Sequence, residues 1–137
     1  IPPLENPGEV PLSLSGRTVL KGICEIAPTD EDISKSAFTA IERVNPGPLS
    51  GAVVRTRRDG DFMRPLGMGG RKKLLSDIMT DRKIPLPLRN RLPVVAKGAE
   101  VLWIITGDIS ETIKTDGHTR SISFKATLNH TYGGETQ

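Results

Sequence analysis

Between residues 60 and 93 a glycine-rich turn, Pro65-Leu66-Gly67-Met68-Gly69-Gly70, runs straight into three cations, Arg71, Lys72 and Lys73. The apolar spacing of Leu74, Leu75, Ile78 and Met79 predicts a helix over 71–79, with Lys73 and Asp77 pairing across one turn of its other side. A helix start carries unpaired N–H groups and a partial positive charge, so cations there disfavour the helix by itself. An anion visiting the site, with phosphate the natural candidate, would reverse that. Backbone N–H groups at Gly67, Gly69 and Gly70 are candidates to cradle one phosphate. The equal alternative is that these glycines only supply left-handed backbone conformations. The turn lacks the Gly-Lys-Ser/Thr ending of a Walker A loop and the glycine spacing of a dinucleotide fingerprint.

Other chemistries find less support. Metal sites need clustered ligands, and the chain offers Cys24 and two separated histidines, His118 and His130. Asp59 and Asp61 sit too close together for an acid/base pair and are expected to cap their turn and pair with Arg57 or Arg58. No Gly-x-Ser-x-Gly elbow is present. Cys24 lies in an apolar run and reads as a small buried hydrophobe; a lone cysteine points to a reducing, cytoplasmic setting. Trp103 is expected in the core. Phe62, in a basic loop, either anchors that loop or stacks on a sugar or base. The chain by itself carries no catalytic constellation, metal ion or cofactor site.

Charge is segregated. Residues 55–97 hold 12 Lys or Arg against 4 Asp or Glu, a local balance of +8; the remainder holds 7 against 12, or −5, which returns the overall +3. A basic segment within an acidic remainder is the footprint of a polyanion-binding surface, the alternative being a solvated face. The candidate contact set is Arg55, Arg57, Arg64, Arg71, Lys72, Lys73, Lys83 and Arg89. Arg55 and Arg57 should share one strand face, because strand side chains alternate. Arg64 and Arg89 each flank a proline-stiffened turn.

The elements that must position these residues are mostly strands. An opening segment, 1–16, ends in an edge strand over 9–14; a strand follows over 17–26 with a possible bulge at Gly22. Residues 36–44 are ambiguous between strand and short helix. A strand is expected over 51–57, at most a turn of helix over 88–92, a hairpin over 94–105 around Gly98, and a last strand over 121–128. The fold class is therefore a small β-rich α+β domain over 17–130, built on a mixed or antiparallel sheet or a partly open barrel, with a frayed tail over 131–137. Exposed edges implied by 9–14 and 121–128 leave a homodimer or a purely structural module as the alternative. No apolar run is long enough to span a membrane, and the start at Ile1 suggests a piece of a longer polypeptide.

The ordered string Arg55-x-Arg57, Gly60-Asp61-x-x-x-Pro65-Leu66-Gly67-Met68-x-Gly70-x-Lys72-Lys73-Leu74, Asp81-x-Lys83-Ile84-Pro85-x-x-x-Arg89-x-x-Leu92-Pro93-Val94-Val95 and Trp103 resembles the C-terminal domain of bacterial tRNA(Ile)-lysidine synthetases. The resemblance is dense over 50–107. It implies a domain, related to one of the phenylalanyl-tRNA synthetase β chain, that helps hold the tRNA body and acceptor stem. It also implies an N-terminal ATP-pyrophosphatase domain, using ATP with magnesium and lysine, that adenylates the wobble cytidine of an isoleucine tRNA with a CAU anticodon and joins lysine to it. The Ser-Gly-Gly-x-Asp-Ser ATP loop of that domain is not in this chain. One corner departs: relatives often read Gly-x-Arg-Ile after the tryptophan strand, where this chain has Gly107-Asp108-Ile109.

Overall fold

The computed structural model describes residues 8–118 and 120–129. In chain order the strands are β1 (Glu9–Pro11), β2 (Thr18–Leu20), β3 (Cys24–Thr29), β4 (Ser34–Lys35), β5 (Thr39–Val44), β6 (Val53–Thr56), β7 (Phe62–Met63), β8 (Lys73–Leu74), β9 (Pro93–Lys97), β10 (Glu100–Ile104) and β11 (Ile122–Leu128). Two short helices, α1 (Leu75–Asp81) and α2 (Leu86–Arg89), separate β8 from β9. The strands form two open sheets ordered β1-β6-β9-β10-β7-β8 and β2-β3-β11-β5-β4. All described pairings are antiparallel except β7 with β10, so the first sheet is mixed and neither sheet closes into a barrel.

Alternation along the strands builds two apolar layers. Leu20, Cys24, Ile26, Val44, Phe124, Ala126 and Leu128 of the second sheet join Val54, Val95, Leu102 and Trp103 of the first, and Ile105 just after β10, in one core. On the opposite face of the first sheet, Met63, Val94, Ala96, Val101 and Ile104 pack with Leu75, Ile78 and Met79 of α1. The layers therefore run sheet, sheet, helix. A register shift between Val101 and Trp103 sets two successive side chains, Leu102 and Trp103, into the inter-sheet core. Without that bulge the period of two would send one of them toward α1.

Several expectations shift. The helix expected over 71–79 begins four residues later, because Lys73 and Leu74 are already paired with Met63 and Phe62. The Leu75 N–H donates to the Asp61 carbonyl (2.9 Å), so the three cations never meet an open helix start. Lys73 pairs with Asp81, not Asp77. Gly22, at φ +78°, closes a tight β2–β3 hairpin, with the Ile23 N–H donating to the Leu20 carbonyl (2.9 Å), in place of a bulge. The ambiguous 36–44 region resolves to β5, which buries Ala40, Ile41 and Val44. Residues 121–128 are not an edge: β11 lies between β3 and β5. β1 is an edge, as its proline allows. The tail expected over 131–137 lies outside the described residues.

Candidate nucleic-acid interface

The geometry of the basic segment starts from a buried ion pair. Arg55 is 1% exposed and meets Asp61 in a two-pronged contact, Nη1 to Oδ2 and Nη2 to Oδ1, each 2.9 Å. Its remaining reach is satisfied by the Thr56 carbonyl (3.0 Å) and the Gly98 carbonyl (2.8 Å). Asp61 Oδ2 also accepts from the Arg58 N–H (2.7 Å). Arg55 is thus a strut between β6, the Asp59–Asp61 turn and the β9–β10 hairpin. It presents nothing at the surface and leaves the contact set. Nor does it share an exposed face with Arg57, which follows β6 half-buried and has a buried Nε without a hydrogen-bond partner among the described residues. Asp61 pairs with Arg55, while the Arg58 side chain reaches Glu9 (2.9 Å).

From that turn the chain enters β7. Met63 points into the α1 layer, so its neighbours Phe62 and Arg64 point to the other side. Across the ladder Phe62 opposes Leu74, which puts Lys72, two residues earlier, on the Phe62 side as well. The Lys72 Nζ lies 4.7 Å from the Phe62 ring centroid and the Arg64 Cζ 5.9 Å. Arg64 is also bonded to Glu100 (Nε to Oε2, 3.1 Å) and to the Gly70 carbonyl (3.0 Å), fixing the glycine turn to β10. Arg71 and Lys72 are exposed, and neither side chain has a hydrogen bond or ion pair with another described residue.

Gly67, Gly69 and Gly70 stand at φ +82°, +64° and +85°, and a Cβ on any of them would meet open space. Their conformation, not a close approach, is what demands glycine. The Gly67 N–H faces Glu111 Oε1 (3.4 Å), and Lys114, ahead of that N–H, holds the Glu111 carboxyl below its ordinary range. One of the three amides considered for a phosphate is therefore already turned toward a carboxylate.

A second locus follows α1. Arg82 caps the helix and grips Asp108 through Nε (3.1 Å) and Nη2 (2.9 Å). Asp108, at the corner where the chain departs from the expected Gly-x-Arg-Ile pattern, thus anchors an arginine from another element. Sequence reasoning passed over this pair, whose partners lie 26 residues apart with no local pattern to link them. Lys73, Asp81, Arg82, Asp108, Leu66 and Met68 line a cleft of about 260 Å³. Lys83 stands exposed at φ +57°. Arg89 donates to the Ile84 carbonyl (2.7 Å) and Thr80 Oγ1 (3.1 Å), tying α2 to α1. Of the eight candidates, the structure brings Arg64 and Lys72 together around Phe62 with Arg71 adjacent in the chain. It leaves Lys83 and Arg89 at the separate α1–α2 turn. Among the described residues no group of three or more His, Cys, Asp or Glu is placed to hold a metal ion.

The chain matches the family described as the TilS substrate C-terminal domain over residues 52–126. A tRNA(Ile)-lysidine synthase of Caldanaerobacter subterraneus is 34% identical over 116 residues, covering 81% of this chain and 25% of the relative. Another, of Dehalococcoides mccartyi, is 35% identical over 120 residues, covering 84% and 25%. The chain spans about a quarter of the length of these relatives. A crystal structure of a TilS C-terminal domain superposes with a TM-score of 0.59 at 28% identity, covering 91% of this chain and 93% of that one.

Proposed function

Because the chain belongs to the TilS substrate C-terminal domain family, we propose that it is the tRNA-gripping domain of a tRNA(Ile)-lysidine synthase. It holds the tRNA body and acceptor stem while an N-terminal ATP-pyrophosphatase domain adenylates the wobble cytidine and ligates lysine. In this reading ATP, magnesium and lysine belong to that catalytic domain, and isoleucine tRNA with a CAU anticodon is the substrate. The cytoplasm, where tRNA is modified, is the compartment; no described helix is long and apolar enough to cross a membrane.

The observation that carries the proposal is the contrast within the basic segment. Arg55, Arg58, Arg64, Lys73 and Arg82 are taken up by carboxylates, whereas Arg71, Lys72 and Lys83 stand exposed without one among the described residues. Exposed cations left unneutralised, Arg71 and Lys72 beside the β7–β8 edge and Lys83 at the α1–α2 turn, suit the phosphates of an A-form stem, which is read through shape, phosphates and 2′-hydroxyls. The isolated domain is expected to bind tRNA with log K falling linearly against log salt. Affinity that is flat with salt, or absent at all salt concentrations, would count against it.

A structural or dimerisation role is the second reading. It is favoured by an apolar groove of about 440 Å³ lined by Phe38, Ile84, Pro85, Leu88 and Leu92. A tight dimer in sedimentation with no affinity for tRNA would favour that reading over RNA binding.

A further inference from the structure

Phe62 is the one aromatic side chain within the basic segment, and two cations approach its ring. An aromatic among cations suggests base stacking at first sight. The contacts argue otherwise. The ring carries a negative face that attracts ammonium groups, and Lys72 Nζ sits 4.7 Å from its centroid. Arg64, the other cation, is neutralised by Glu100 and committed to the Gly70 carbonyl. Lys72 has no such commitment among the described residues. We propose that Phe62 is a positioning residue: its ring holds the Lys72 ammonium on the exposed side of the β7–β8 edge, ready for an RNA phosphate, and does not itself stack on a base.

The register makes this placement a property of the fold. Phe62 is held on both sides, by β10 at Glu100 and by β8 at Leu74, and Lys72 precedes β8 by one residue on the same side. A lysine stem is long and rotamer-rich, and fixing it before binding removes ordering that association would otherwise require. A base stacking on the ring face that Lys72 covers would have to displace the ammonium first.

The proposal rests on the RNA-binding reading, and a double-mutant cycle on the isolated domain separates the two. Lys72→Ala should weaken tRNA binding and reduce the salt slope by about 0.7 to 0.9, the contribution of one phosphate contact. Phe62→Leu should weaken binding about two- to fivefold when Lys72 is present, the scale of an exposed cation–π contact, and leave the salt slope unchanged. In the Lys72→Ala background Phe62→Leu should have no further effect, and Phe62→Tyr, which keeps the ring, should bind like the parent. Equal losses from Phe62→Leu in both backgrounds would show base stacking or general structural damage and overturn the proposal. A measurement on the unaltered domain guards against a folding defect: the Lys72 side-chain methylene protons should be shifted upfield by the ring current in the free protein. Unshifted protons would overturn the proposal even if every variant failed to fold. A parent domain that binds no tRNA at any salt defeats the functional reading instead, whatever the Phe62 result.

Discussion

At the scale of single residues, Arg55 and Asp61 illustrate how a charge can belong to the fold. Both side chains are 2% exposed, and every prong of the contact is met. Removing one partner of such a pair leaves an uncompensated buried charge, so Arg55→Met should destabilise the domain by about 3–5 kcal/mol. Denaturant melts would show this against Arg71→Ala, an exposed change expected to stay within about 0.5 kcal/mol. The sequence displays Arg55 as a cation beside Arg57 and hides that it is sealed, since burial depends on which strands flank β6. Cys24 was legible, because its apolar neighbours announce a buried site. Burial pushes its thiol from an ordinary 9.0 up to about 12, partly offset by a backbone hydrogen bond at Leu20. The folded state thus holds this proton where the unfolded chain releases it. The associated stability is complete below pH 9 and drains as pH rises toward 12, by at most roughly 1.4 kcal/mol per pH unit. Stability curves from pH 8 to 11 should be flatter for Cys24→Ala than for the parent; parallel curves would contradict this.

At the scale of elements, local pattern and long-range pairing divide the work. The β9–β10 hairpin and β11 were readable because alternation and the Gly98 turn are local signals. Which strands lie beside β11 was not, for its partners β3 and β5 are distant in sequence and nothing nearby encodes them. The start of α1 was misplaced for the same reason. An amphipathic period detects Leu75, Ile78 and Met79 but not the ladder bonds that claim Lys73 and Leu74 for β8. The glycine turn between β7 and β8 makes its own prediction. Gly70 at φ +85° has open space where a Cβ would go, so Gly70→Ala should cost about 1 kcal/mol through backbone strain alone. A thermal melt with unchanged midpoint would mean that the turn relaxes freely.

At the scale of the molecule, the +8 balance of residues 55–97 overstates what a partner meets. Carboxylates from both inside and outside the segment neutralise five of its cations. That sorting was invisible in the composition, which shows charge but not pairing. The Arg82–Asp108 pair is the clearest reserve. It is largely exposed on the arginine side, so Asp108→Asn should change stability by less than about 1 kcal/mol. By releasing the guanidinium it should also raise tRNA affinity at low salt, and titrations of parent and variant would reveal unchanged or weaker binding if Arg82 does not face the RNA. In the proposed role Arg71, Lys72 and Lys83 grip a tRNA backbone. Its most direct test is the slope of log K against log salt for the parent and for the triple alanine variant at these positions. Three lost phosphate contacts should make the slope shallower by roughly 2 to 3 while the melting temperature holds. An unchanged slope in a folded triple variant would contradict the claim.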